Sequence, residues 1–296
     1  MYYYCGSKSR SIYNMKTAAI LFSRNDGYKE DERVIVCLNS MVDTFDEVWY
    51  IDWNSPEDRG SLLWKVENSI NKVGKIRHIV IPPSIASQLT PEGASVVNGL
   101  IPPNLVIRRT DADWIVNTTI DIIAPRRDKF LEFLQGANPN TFYTLSRRDI
   151  EIGDLEKYGF ELWKEYRERL NQTTQERRLY AKVTPNDSYS IINCCGDFQL
   201  AHRDLWNNIK GYEENMYYAC FPDTNIQKKA VMNGYNLEAI YDIPLYHMSH
   251  KGMGNDGSSP SKQKYNDPMK WVEYFKESEN SDNWGLYGVN IEYEIL

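Results

Sequence analysis

Apolar positions along the chain follow two spacings in turn, and the turns between them set the elements. The run Thr17-Ala-Ala-Ile-Leu-Phe-Ser23 is continuously apolar and is followed by the turn-like Arg24-Asn25-Asp26-Gly27, the pattern of a strand buried on both faces. From about Lys29 to Val42, residues Val34, Ile35, Leu38, Met41 and Val42 recur at helical spacing. Glu47 to Asp52 reads as a second strand, so the first three elements form a βαβ unit. A helix over Ser61 to Val73, carrying Leu62, Leu63, Val66 and Ile70, and a third strand over Ile76 to Ile81 repeat the pattern. Pro91 to Pro103 reads as irregular and helical at most in part, and Asp113 to Asp121 as the fourth strand. Within that strand the two-residue period places Ile115, Asn117, Thr119 and Asp121 on one face, so that their polar groups converge.

Beyond Pro125 the pattern changes. It predicts a helix near Arg126 to Leu134, a strand near Thr141 to Leu145 and a charged helix near Asp154 to Leu170. Strands over Ser188 to Asn193 and Asp197 to Leu200 follow, then helices from about Asp204 and near Asp223 to Asn233, and the apolar strand Tyr241 to Tyr246. Such alternation predicts an α/β fold with a mainly parallel central sheet and helices on both faces. The expected organisation is an N-terminal extension over 1–15, a Rossmann-like half over 16–125, a second half over 126–250 continuous with the same domain, and a C-terminal loop and tail over 251–296. Gly252, Gly254, Gly257 and a Ser-Ser-Pro-Ser run mark that loop.

Composition narrows the function. A hydrophobic share of 42% supports a substantial core, while a net charge of -7 argues against a nucleic-acid partner, whose phosphates need clustered Lys and Arg. The pairs Arg108-Arg109, Arg126-Arg127, Arg147-Arg148 and Arg177-Arg178 are dispersed, so at most one or two are expected to meet a small anionic ligand and the others to lie on solvated or salt-bridged faces. Cys5, Cys37, Cys194, Cys195 and Cys220 lack C-x-x-C spacing and read as reduced thiols, which suits a cytoplasmic setting. No apolar run reaches the length of a membrane span, and the start Met1-Tyr2-Tyr3-Tyr4-Cys5 lacks the regions of a signal peptide.

Candidate chemistry gathers at the ends of the expected strands, the edge at which α/β proteins bind nucleotides and metals. Four stretches carry it: Ala19 to Asp26; Phe45 to Ser55; Asn104 to Asp121; and Gly196-Asp-Phe-Gln-Leu-Ala-His-Arg-Asp204 with Lys210-Gly-Tyr-Glu-Glu214. In their order and spacing they resemble the GT-A fold of nucleotide-sugar-dependent glycosyltransferases, in particular the family-2-like group.

The resemblance implies transfer of a sugar from a nucleoside-diphosphate donor, a UDP-sugar by preference, to a hydroxyl of a glycan or glycoconjugate. It assigns Ser23, Asn25, Asp52 and Asn54 to the nucleoside, where a carboxylate suits a ribose diol and mixed donors and acceptors suit a base edge. Thr119-Ile120-Asp121 stands where the family carries D-x-D, with the first carboxylate missing; Asp121, His247 and His250 become the ligands of a divalent cation, Mn²⁺ or Mg²⁺. The literal D-x-D at Asp111 to Asp113 precedes its strand and is expected at the opposite edge. Asn104, Arg108, Asn117, Thr119 and Lys251 are assigned to the diphosphate or to bracing the metal strand. Gly196, Asp197, Gly211, Tyr212, Glu213 and Glu214 are assigned to the donor sugar and acceptor, with Tyr212, Trp206, Tyr217 and Tyr218 able to stack on a sugar ring. Asp223, at an expected helix start, takes the place of the catalytic base of an inverting enzyme, with Pro222 where the family has Glu. Two other readings share these residues: a non-catalytic sugar or nucleotide-sugar binding protein, and a sugar-phosphate nucleotidyltransferase. The latter needs a Gly-rich basic loop after its first strand, which Ser23-Arg-Asn-Asp-Gly27 matches poorly.

Overall fold

The computed structural model describes residues 15–26, 31–90, 100–151, 182–183, 196–216, 222–249 and 280–296. The expected helix at 154–170, the strand at 188–193, Cys5, Cys194, Cys195, Cys220, Tyr217, Tyr218, His250, Lys251 and the 252–267 loop lie outside these residues.

Strands β1 (Thr17–Ser23), β2 (Glu47–Trp53), β3 (Ile76–Ile81) and β4 (Trp114–Thr118) pair in parallel in the order β3-β2-β1-β4. Residues Ala18 to Leu21 and nearly all of β2 are fully buried, which is why these strands read as unbroken apolar runs. Beyond β4 the sheet is mixed. β8 (Phe198–His202) runs antiparallel between β4 and β6 (Thr141–Glu151), and β9 (Asn236–Ser249) runs parallel to β6. β5 (Ile122–Ile123) and β7 (Lys182–Val183) pair antiparallel with β9, and β10 (Glu294–Ile295) pairs antiparallel with β3. Strands from both sequence halves thus share one sheet.

Helices cover both faces. α1 (Asp31–Thr44), α2 (Leu62–Val66) and α5 (Arg127–Gly136) pack on one through Val34, Leu38, Leu63 and Phe130. α3 (Pro83–Leu89), α4 (Ile101–Ile107), α6 (Arg203–Asn208) and α7 (Pro222–Met232) pack on the other through Ala86, Leu105, Trp206 and Ile226. This is the α/β architecture that the sequence pattern predicts.

Two helices depart from expectation, each for a local reason. The predicted helix from Ser61 to Val73 stops at Val66 and continues as short 3-10 turns over Glu67–Ser69 and Val73–Lys75. Asn39 of α1 intercepts its backbone, donating to the Ser69 carbonyl and accepting from the Asn71 amide, each at 2.9 Å, so the helical bonds have a competitor. Conversely, the stretch that reads as irregular because of its prolines carries α4. Pro102 and Pro103 occupy its first turn, where proline lacks no needed donor, and every residue of the helix is buried, so all but Asn104 are apolar.

The C-terminal residues fasten α4 and the far edge of the sheet. Arg108 stacks between Trp284 and Tyr287, 4.9 and 4.4 Å from their ring centroids. Arg109 donates to the carbonyls of Gly285, Leu286 and Val289. At β10, Glu294 accepts from Trp64 at 3.0 Å and meets His78 Nδ1 at 2.7 Å. Inside this strap, Asn104 is fully buried and bonds both the amide and the carbonyl of Tyr212, each at 2.8 Å. The close approach is possible only because position 211 is glycine. Gly211 has φ +59°, and a β-carbon there would lie 2.1 Å from Asn104 Oδ1.

Gly211→Ala therefore forces a left-handed alanine against a side chain whose bonds leave it no retreat. Unfolding in urea is expected to show a loss of about 3 kcal/mol.

Candidate functional site

Because β1 and β2 are parallel and in register, their last residues meet: Ser23 pairs with Asp52. Around them the chain builds a small polar nest. The Ser23 hydroxyl bonds the Tyr50 hydroxyl, and the Ser55 hydroxyl donates to Asp52. Ser55 Oγ also accepts from the Asn25 amide at 2.8 Å, and the Asn25 side chain donates to the Gly60 carbonyl at 3.0 Å. Asn54 takes a left-handed φ of 63°, which Asn tolerates better than most residues, and its carbonyl accepts from Arg24 Nε at 2.7 Å. Asp52 is buried. Its removal from water pushes its carboxyl up to about 6, against the smaller opposing pulls of the Ser55 hydroxyl and the Arg24 charge.

Asp121 lies on the same carboxyl-end edge. β4 ends at Thr118, and the chain turns through Thr119 and Ile120 before Ile122 and Ile123 enter the core as β5. This turn separates residues that the two-residue period puts on one face. Asn117 points to Tyr212, donating to its hydroxyl at 2.8 Å, while Asp121 turns to β9. There the pairing of Ile122 with His247 and the bond from the Met248 amide to the Asp121 carbonyl, 2.8 Å, set the two side chains together. His247 Nε2 stands 3.3 Å from Asp121 Oδ2, and the Thr119 hydroxyl donates to Asp121 Oδ1 at 2.5 Å. Among the described residues no group of three or more His, Cys, Asp or Glu side chains is arranged to hold a metal. The pair itself fits a hard divalent ion that takes its other ligands from phosphate and water, since one carboxylate oxygen and one imidazole nitrogen converge at a partly open edge.

The third part comes from β8 and α7. Thr118, the last residue of β4, donates its hydroxyl to the Asp197 carbonyl, and the Asp197 side chain pairs with Arg147 at 2.5 Å. Arg147 reaches inward where β6 breaks register between Leu145 and Arg147, and of the solvated or salt-bridged roles expected of the basic pairs it takes the second. Next to Asp197, a β-carbon on Gly196 would stand 3.1 Å from the Asp223 β-carbon; glycine at 196 lets the start of α7 come this close. Contacts thus run from the end of β4 through Asp197 and Gly196 to Asp223.

Other expected site residues are placed elsewhere. Thr110, two residues after Arg108, bonds Glu47, the first residue of β2, so Arg108 sits towards the amino-end edge, held by Trp284 and Tyr287. Asn104 and Gly211 form the buried contact described above, and Glu214 accepts from Asn104 and from the Gly285 amide at 2.9 and 2.8 Å. Glu213 pairs with Lys229 in the interior. Tyr212 and Trp206 are core rings with centroids 5.6 Å apart, not exposed platforms. As expected, Asp111 and Asp113 are at the opposite edge, where both engage Lys16. Sequence reasoning gave no site role to Arg24, Tyr50, Ser55 or Gln199, and named Arg147 only among the dispersed basic pairs. Ser55 alone had a local signal, three residues after Asp52 in a turn-forming run.

No protein-family model matches the chain, and no curated protein matches it in sequence. Among solved structures it is similar to S. aureus TarS, with a TM-score of 0.53 and 12% identity over 90% of this chain and 41% of that one. It is similar to the mannosyltransferase PcManGT from Pyrobaculum calidifontis in complex with GDP-Man and Mn²⁺, with a TM-score of 0.51 and 14% identity over 81% and 58%. It is also similar to GalNAc-T7 with UDP, GalNAc and Mn²⁺, with a TM-score of 0.52 and 11% identity over 88% and 48%. This chain therefore spans less than two thirds of the length of each. The likeness is one of fold, and the fold is GT-A-like. No helix among the described residues is long and apolar enough to cross a membrane.

Asp52 gives a measurable pH signature. Between about pH 4 and 6 the folded chain keeps a proton that the unfolded chain has released, so this group's contribution to stability falls as pH rises through that window. The loss is expected to reach about 2 kcal/mol and to be absent in Asp52→Asn, as read by urea unfolding at pH 4.5 and 7.

Proposed function

We propose that the chain is a glycosyltransferase that moves a sugar from a nucleoside diphosphate, a UDP-sugar by preference, to a hydroxyl of a glycan or glycoconjugate. The observation that carries this is the meeting of Asp121 and His247 at the carboxyl-end edge that also holds Ser23 and Asp52. A nucleoside in the Ser23–Asp52 nest faces a carboxyl able to bond ribose hydroxyls, with Arg24 near the same turn. Asp121 and His247 would hold Mn²⁺ or Mg²⁺, which when bound offsets the charge on the departing nucleoside diphosphate.

Asp223 is the proposed base. It takes the proton of the acceptor hydroxyl as that oxygen bonds the anomeric carbon, and the bond from that carbon to the phosphate oxygen breaks with its electron pair leaving on the nucleoside diphosphate. A single displacement of this kind inverts the anomeric centre. Asp197, held by Arg147 between β4 and Asp223, is the proposed partner for sugar hydroxyls. The two neighbours solved with Mn²⁺ hold GDP-Man in one case and UDP with GalNAc in the other, which supports this class of donor.

A thermal-shift comparison of UDP and GDP, with and without MnCl₂, tests the reading. UDP at about a hundred times its Kd is expected to raise Tm by about 5 °C, with a Mn²⁺-dependent part that Asp121→Ala removes. Asp223→Asn is expected to keep that shift and lose at least about a hundredfold in release of UDP from UDP-sugars. Nucleotide binding without turnover of any donor would favour a binding protein.

A further inference from the structure

Gln199 is the second residue of β8, 1% exposed, opposite Asn117 on β4 and Thr144 on β6. An apolar side chain would fill this place at lower cost, because a buried amide must have its bonds met. Both ends of the amide are used. Its Oε1 accepts from the Tyr212 hydroxyl, and its Nε2 donates to the backbone carbonyl of Asp223 at 3.1 Å. The Tyr212 hydroxyl accepts in turn from Asn117 Nδ2 at 2.8 Å. Every donor in this series points the same way, from β4 towards α7, so each bond polarises and strengthens the next.

We propose that Gln199 is a positioning residue that sets Asp223 for proton transfer, with Tyr212 and Asn117 as its supports. This rests on Asp223 as the base. β8 and the turn before it restrain Asp223 at two points: Gln199 holds its carbonyl, and Gly196 admits its β-carbon to close contact. A backbone so held fixes the point from which the Asp223 side chain reaches an acceptor hydroxyl. Displacing a base by about 1 Å is enough to cost about a hundredfold in rate.

The test uses the full chain and needs no acceptor, because water takes that place in donor hydrolysis. Release of nucleoside diphosphate from UDP-glucose, UDP-GlcNAc and GDP-mannose is measured with MnCl₂. Gln199→Met is expected to lower kcat at least tenfold, with donor KM and the UDP thermal shift unchanged; Tyr212→Phe falls between it and the parent. In an Asp223→Glu background, Gln199→Met is expected to cost less than twofold more, since the residue acts through Asp223. An unchanged kcat, a lost UDP shift, or the same tenfold loss in that background would overturn the proposal. Equal turnover by the parent and Asp223→Asn would instead overturn the base assignment. Where no donor is turned over, hydrogen exchange decides: Gln199→Met is expected to speed exchange of the first-turn amides of α7 at least tenfold while the sheet amides keep their rates, and no change there rejects the positioning role.

Discussion

Tyr212 is held at both ends, and much of the second half of the molecule depends on that. Its amide and carbonyl are taken by Asn104, and the same carbonyl accepts from Asn280 at 2.5 Å. Its hydroxyl lies between Asn117 and Gln199. A single buried residue therefore joins α4, the C-terminal strap, β4 and β8. The driving requirement is that buried polar groups be bonded: a loop crossing the interior at 211–214 has to find partners for its backbone, and the side-chain amides of Asn104 and Asn280 and the Lys229 ammonium supply them.

The two edges of the parallel strands use similar residues for different ends. At the amino edge, Glu47 is 1% exposed yet meets Lys16, Arg77, Thr110 and the Trp49 indole, so its charge is fully engaged in joining strands. At the carboxyl edge, Asp52 has a hydroxyl and a more distant arginine, and burial wins over both. Asp121 has an imidazole and a hydroxyl on a partly open rim. A carboxylate matched by several cations serves packing.

What the sequence discloses follows from the range of each interaction. The strands β1 to β4 and the helices α1, α5 and α7 are legible because burial on both faces or at helical spacing is written locally. Ser23 and Asp52 are legible for the same reason, since parallel strands deliver their last residues to a known edge, and Asp121 is legible only as far as the edge, because it lies in the turn beyond β4. The end of α2 is not, because Asn39 intervenes from another helix. Nor are Asn104, Arg108, Gly211 and Glu214: Asn104 meets Tyr212 across 108 positions and Arg109 meets Leu286 across 177, and no local pattern marks such pairs. These residues carry the same polar and glycine signature as a ligand site, and only the fold separates a side chain bonded to backbone from one facing a substrate.

The strap has a consequence for the order in which the chain matures. His78 meets Glu294 across 216 positions, and β10 is made long after the strand it pairs with, β3. During synthesis the parallel strands β1 to β4 emerge and can pair while β3 still shows a bare hydrogen-bonding edge and Arg109 still lacks the carbonyls it will grip. The nascent protein thus passes through an interval in which its parallel strands are assembled but unsealed, until residues 280–296 have emerged to close them.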